Sequence, residues 1–267
     1  LHLRPILDLK KDGYVKLFRE ITTEVARLVK RYGGSFSGEH GDGIVRAEFL
    51  EMQIGTKNFE LLRQIKKLFD PQPIFNPGKI TDAWPMDKSL RYEIDRKEPV
   101  VDTFMDFEDS EGILRLAEKC NGSGDCRKTE KSSGMLCPSY HATKNEKDST
   151  RGRANILREM LTQNTDGNRF NKQELKEAFS LCVGCKACAT ECPSNVDMAT
   201  AKSEFLYQYQ KENGVSRATK SFGLSSRYYK KAARFPKIAN FIFSNALTAS
   251  LVKKLNNVAT GRTLPLI

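Results

Sequence analysis

Apolar positions change their period several times along the chain, and each change predicts an element. Over residues 1–10, Leu1, Leu3, Ile6 and Leu9 alternate with other residues, which reads as a strand and its exit. Over residues 12–31, Leu17, Ile21, Val25, Leu28 and Val29 recur at helical spacing, and Tyr32-Gly33-Gly34 closes the helix where glycine can take a left-handed cap. Residues 35–43 are polar and glycine-rich. A second helical pattern follows over residues 48–69, with Phe59, Leu62, Ile65 and Phe69 on one face. Periodicity then fails over residues 81–109, where Trp84-Pro85, Glu98-Pro99 and alternating charges read as a surface-running connection. Helical patterns return at residues 111–119 (Ile113, Leu114, Leu116), 172–181 and 198–210, and residues 149–158 open a further helix. A strand-bearing start with a helical remainder predicts an α+β chain. Its expected divisions are 1–88, a linker at 89–108, a helical domain at 109–213 and a helical tail at 214–267.

Composition narrows the class. With 267 residues, 39% hydrophobic and 29% charged, the chain suits a soluble, cytosol-facing protein of about two domains. Its longest uncharged stretch, residues 238–252, is short of the roughly 20 residues that a membrane helix needs. The sequence starts at Leu1, inside the expected strand, so we expect a piece of a larger polypeptide. Its net charge of +11 is concentrated: residues 214–267 hold ten Lys and Arg and no Asp or Glu, while residues 1–213 hold 34 basic and 33 acidic groups. Among those ten lie Phe222, Leu224, Tyr228, Tyr229, Phe235, Ile238, Phe241, Ile242, Leu247, Leu251 and Leu255. Such a tail reads as helices packed on other protein, or as a surface for anionic lipid on the inner face of a membrane. No recognised nucleic-acid module accompanies the charge, so a nucleic-acid partner is not expected.

The sharpest chemistry lies in residues 182–193. Cys182, Cys185, Cys188 and Cys192 stand at C-x2-C-x2-C-x3-C followed by proline, the run that aims three thiolates at one iron-sulfur cluster and sends the fourth to another. A zinc site is the alternative, although zinc knuckles use two separated pairs. An odd count of seven cysteines, bunched at short spacings, does not read as a disulfide framework. By the same exchange rule, Cys137, which precedes Pro138, completes a 4Fe–4S set with Cys182, Cys185 and Cys188. Cys120, Cys126 and Cys192 remain for a second site, where Ser123 occupies the middle position of the first run. A hydroxyl is a far weaker ligand than a thiolate, so this site is open between a 3Fe–4S cluster, a 4Fe–4S cluster and none. Arg151 and Arg153, at the start of a helix, read either as donors toward a cluster or backbone or as a solvated helix start.

The first part carries a family resemblance. A strand containing His2, the loop Gly38-Glu39-His40-Gly41-Asp42-Gly43, the turn Phe69-Asp70-Pro71 and the run Phe75-Asn76-Pro77-Gly78-Lys79 together resemble the C-terminal domain of FAD-linked oxidases. The resemblance implies FAD, held mostly by a preceding domain, and a D-2-hydroxy acid such as D-lactate as substrate. It further implies His40 as base for the substrate hydroxyl, with Arg46 a candidate for the substrate carboxylate. Glu39, Gly41, Asn76 and Lys79 become the cofactor-binding candidates, and His2 and Glu39 the candidate ligands of a divalent metal. The second part resembles the iron-sulfur region of dehydrogenases that fuse both modules, which implies electron flow from FAD through a 4Fe–4S cluster to a quinone or cytochrome. The alternative is a non-catalytic iron-sulfur subunit that serves another flavoenzyme.

Overall fold

The computed structural model describes residues 3–129, 131–163 and 167–267, which form two compact units, Leu1–Glu98 and Pro99–Ile267. In the first unit, α1 (Asp12–Arg31) buries Val15 and Ala26, and Ala26 joins Phe49, Met86, Phe18 and Phe36 in a small core. Arg19 ties this core's margin together, donating to Glu48 at 2.6 Å and to Asp87 at 2.7 Å, while Glu48 also accepts the Met86 amide at 2.8 Å. The helical pattern of residues 48–69 is realised as α2 (Leu50–Ile54) and α3 (Thr56–Phe69). Gly55, at φ +83°, breaks it in a conformation that side chains rarely adopt.

The α+β expectation is not met by the described residues, which contain helices and no strand. Leu3 and Ile6 are exposed. A lone extended segment leaves its amides and carbonyls without ladder partners, so alternation in residues 1–10 does not by itself make a strand.

The second unit is helical: α4 (Ile113–Glu118), α5 (Pro138–Thr143), α6 (Thr150–Gln163), α7 (Gln173–Ser180), α8 (Ala187–Thr190) and α9 (Met198–Asn213). Helix α6 is central, packing on α4, α7 and α9 and burying Ala154, Leu157 and Leu161 completely. Its approach to the turn at residues 146–148 requires Gly152, because a Cβ there would stand 2.1 Å from the Glu146 carbonyl oxygen. Phe179 of α7 stacks on Phe205 of α9 with ring centroids 5.4 Å apart, a pair worth about 1 kcal/mol beyond its burial. Within the same unit Glu204 is fully buried and accepts the amides of Phe104 and Met105 at 3.0 and 2.8 Å, which holds residues 104–105 on α9.

Residues 216–255 form four short helices, α10 (Arg217–Gly223), α11 (Ser225–Ala232), α12 (Pro236–Ser244) and α13 (Ala246–Leu255). Asn245 caps α13 by accepting the Leu247 and Thr248 amides, and α13 packs on α12. Phe235, Ile238, Phe241, Leu247 and Leu251 remain exposed. Among the described residues no helix is long and apolar enough to cross a membrane.

Candidate functional site

The chemistry of the second unit gathers where α5, α8 and the start of α9 meet. Cys137 is the residue before α5, Cys182 follows α7, Cys185 lies on the exposed turn after it, and Cys188 is buried in α8. The four side chains line one small cavity of about 20 Å³, whose other walls include Leu136, Pro138, Arg153, Met198 and Ala199. Three of these thiols thus come from one short run and the fourth from a distant segment.

What closes that distance is visible. Glu191, just beyond α8, accepts the Met135 amide at 2.9 Å and the Leu136 amide at 3.1 Å, drawing the segment before Cys137 onto the cysteine run. Those amides hold its carboxyl below the usual carboxylate range. Asp197 caps α9 by accepting the Ala199 and Thr200 amides at 3.1 and 3.0 Å, and Lys186 reaches its other oxygen at 3.2 Å, fixing the far wall. Caps of this kind are worth about 1 kcal/mol.

The donor set suits a multi-iron cluster. Among the described residues no cysteine forms a disulfide, and no three His, Cys, Asp or Glu side chains stand close enough to grip a single metal ion. Tetrahedral zinc draws all its sulfurs to about 2.3 Å from one centre. A cube of four irons instead gives each thiolate its own iron and spaces the sulfurs around a core. Thiols must lose their protons to bind, and Cys188 and Cys137 are shifted in opposite directions. Burial pushes the Cys188 thiol up to about 11, with the Ala199 and Met198 amides opposing it. Burial also pushes Cys137 up, but the Ser139 hydroxyl and the Arg153 guanidinium outweigh it and bring that thiol below its ordinary value.

Arg153 is the residue whose place the sequence left open. It is 1% exposed, and its Nε donates to the Ala178 carbonyl at 2.7 Å, Nη2 to the Ser139 hydroxyl at 2.9 Å and Nη1 to Cys137 Sγ at 3.5 Å. Arg151 turns elsewhere: its side chain holds Glu146 and the Gly122 carbonyl, while its backbone amide donates to Cys126 Sγ at 3.3 Å.

The second cysteine group is less complete. Cys120, at the end of α4, and Cys126 are both buried, and burial raises the Cys126 thiol. Cys192 is half-buried against the same core. Ser123 is exposed and its hydroxyl donates to Asp125 at 2.9 Å, so it is engaged away from any thiol ligand set.

In the first unit, Phe36 anchors the glycine-rich loop by packing edge-on against Phe49 at 5.8 Å. The Ser37 hydroxyl bonds Asp42, and Arg46 donates to the carbonyls of Phe36 and Ser37 at 3.5 and 3.4 Å. His40 and Glu39 are exposed together, Nε2 standing 3.1 Å from Oε1, and a Cβ at Gly41 would meet nothing within 4 Å. The loop therefore presents an open face. His2 lies outside the described residues, and among those described no metal-binding group includes Glu39.

Asn76 and Lys79 are exposed on a loop built around Asp70. The buried Asp70 carboxylate accepts the Ile74 and Phe75 amides at 3.1 and 3.0 Å and the Lys66 ammonium, and Lys66 also reaches the Phe75 carbonyl at 2.6 Å. Lys66 and those amides keep Asp70 below the usual carboxylate range. Gly78, at φ +73°, lies under the Trp84 indole, where a Cβ would come within 2.4 Å of the ring. The Phe-Asp-Pro signal was legible in the sequence; that its aspartate organises the loop follows only from the fold.

Comparison with known proteins agrees with this division. Residues 1–80 match the family of FAD linked oxidases, C-terminal domain, and residues 116–196 match the 4Fe-4S dicluster domain. The chain is 32% identical over 300 residues to D-2-hydroxyglutarate dehydrogenase of Haemophilus influenzae and 31% identical over 295 residues to that of Escherichia coli, in each case across 95% of this chain. It spans only 28% of the length of either relative. A D-lactate dehydrogenase of Archaeoglobus fulgidus is 41% identical over 80 residues, covering 30% of this chain and 17% of that protein. No solved structure matches the chain.

Proposed function

The chain joins the C-terminal region of an FAD-linked oxidase to a 4Fe-4S dicluster domain, and from that premise we propose that it serves a dehydrogenase of D-2-hydroxy acids. The observation that carries this reading is the convergence of Cys137, Cys182, Cys185 and Cys188 on one cavity, in a chain that also bears an exposed Glu39-His40 loop. FAD, when bound, takes up the hydride of such an acid, and an iron-sulfur cluster, when bound, carries electrons singly toward a quinone or cytochrome.

The chain's own residues supply the rest. His40 takes the proton of the substrate hydroxyl, a role for which a solvent-reachable imidazole beside a carboxylate is suited. Arg46, whose guanidinium has more donors than its two carbonyl partners use, engages the substrate carboxylate. Glu39, Gly41, Asn76 and Lys79 border the flavin, and Glu39 with His2 remains the proposed seat of a divalent metal. The four thiols hold the first cluster; Cys120, Cys126 and Cys192 would hold the second.

The substrate class shifts from the D-lactate expectation. The relatives that run along 95% of the chain are named for D-2-hydroxyglutarate, whereas the D-lactate enzyme matches only its first part. The deciding experiment offers D-2-hydroxyglutarate, D-lactate and L-2-hydroxyglutarate to the intact, FAD-loaded protein and follows bleaching of the flavin absorbance. We expect the D-2-hydroxyglutarate trace to be fastest and the L-isomer to be inert. Bleaching by none of the three would leave the non-catalytic electron-transfer subunit as the better reading.

The tail gives this function a place. Ten basic groups without one acidic group, set among exposed Phe235, Ile238, Phe241 and Leu251, suit peripheral contact with an anionic membrane on its cytoplasmic face, where a quinone acceptor is found. A lysine near such a surface is worth about 1 kcal/mol. Reversing Lys230, Lys231 and Lys237 to glutamate should therefore weaken sedimentation with phosphatidylglycerol vesicles by at least about a hundredfold. Equal retention on neutral phosphatidylcholine vesicles, or unchanged retention of the variant, would refute the lipid contact.

A further inference from the structure

A buried guanidinium beside a ligand sulfur does more than pack a helix. Arg153 is 1% exposed on α6, and nothing in the helical pattern of residues 150–163 requires a charge there. Its three donor nitrogens are all committed: one to the Ala178 carbonyl, one to the Ser139 hydroxyl and one to Cys137 Sγ. The Asp148 carboxylate, 2% exposed, stands 4.0 Å from Nη2; its Oδ2 accepts from the Thr143 hydroxyl, and its Oδ1 has no hydrogen-bond partner among the described residues. Arg153 lines the cysteine cavity and Asp148 is buried behind it, where the effective dielectric constant is low and the field of a fixed charge is strong.

We propose that Arg153 and Asp148 form an opposed charge pair that sets the reduction potential of the cluster held by Cys137, Cys182, Cys185 and Cys188, with Arg153 favouring the reduced state and Asp148 restraining it. Reduction adds one electron to the cluster and thus one negative charge beside Arg153. A positive group hydrogen-bonded to a ligand sulfur stabilises that charge, which is a recognised means of tuning iron-sulfur potentials. Arg153 acts through Cys137 and is therefore a positioning residue. The proposal rests on the cluster reading above.

The test is an EPR-monitored redox titration of anaerobically reconstituted protein, with iron content measured on every sample. Arg153→Gln should lower the reduction equilibrium constant at least tenfold, a fall of 59 mV in midpoint for a one-electron couple, while Arg153→Lys should keep most of the wild-type value. Asp148→Asn should move the midpoint in the opposite direction. A purely structural role would lower iron content without opposed shifts. Midpoints unchanged in Arg153→Gln and Asp148→Asn, or displaced in the same direction, would overturn the proposal. If Arg153→Gln fails to take up iron, Arg153→Lys and Asp148→Asn decide alone, and an unchanged Asp148→Asn midpoint is then sufficient to reject it. Wild-type protein that takes up no iron would instead remove the cluster reading, and this inference with it.

Discussion

Cys137→Ser should remove the first cluster: iron in reconstituted protein should fall by about four per chain, with loss of the matching low-temperature EPR signal. The reason is geometric as well as chemical. Cys182, Cys185 and Cys188 come from one short run, and the fourth corner of their cavity is supplied from before α5. Serine keeps the size of the side chain, and its hydroxyl can take up the Ser139 and Arg153 contacts, so the helices around it should stand; what goes is a soft ligand for iron. Cys192→Ser is the control, since that thiol is not among those lining the cavity, and it should leave the first cluster's signal in place. Wild-type protein with about four irons would hold one cluster and with about seven or eight, two. A Cys137→Ser protein with its iron and EPR signal intact would show that the fourth ligand lies elsewhere.

The second large effect belongs to His40. In FAD-loaded protein, His40→Ala should slow reduction of the flavin by the D-hydroxy acid by about 10²- to 10⁴-fold, the range that positioned general bases contribute, while the bound FAD stays at wild-type level. The imidazole is exposed, with Glu39 Oε1 3.1 Å from its Nε2, so truncation removes little packing. That separation makes the experiment informative: lost flavin would point to a structural role, and an unchanged rate would remove His40 from the mechanism.

The parts of this protein that could be read from the sequence were those in which a local pattern carries its own reason. Helix α1 follows from one apolar stripe and its glycine stop, and α7 and α9 lie within a few residues of the ranges expected for them. The cysteine run was legible because ligand spacing is a local constraint, and it lies within the residues that match the 4Fe-4S dicluster domain. Alternation in residues 1–10 failed for the opposite reason: a strand exists only by virtue of its partner, and the described residues offer none. Arg153 could be read as a solvated helix start or as a donor toward a cluster or backbone. Only the packing of α6 on α7, with Ser139 and Cys137 brought alongside, shows it buried and donating to a backbone carbonyl, a hydroxyl and the Cys137 sulfur. Asp70 was seen as part of a turn signal, but its bonds to Ile74 and Phe75 appear only once the chain has doubled back.

Glu191 gives the module a latch that needs no iron. Because its carboxylate grips two amides ahead of Cys137 through contacts within the protein alone, the fold itself holds the lone thiol beside its three companions.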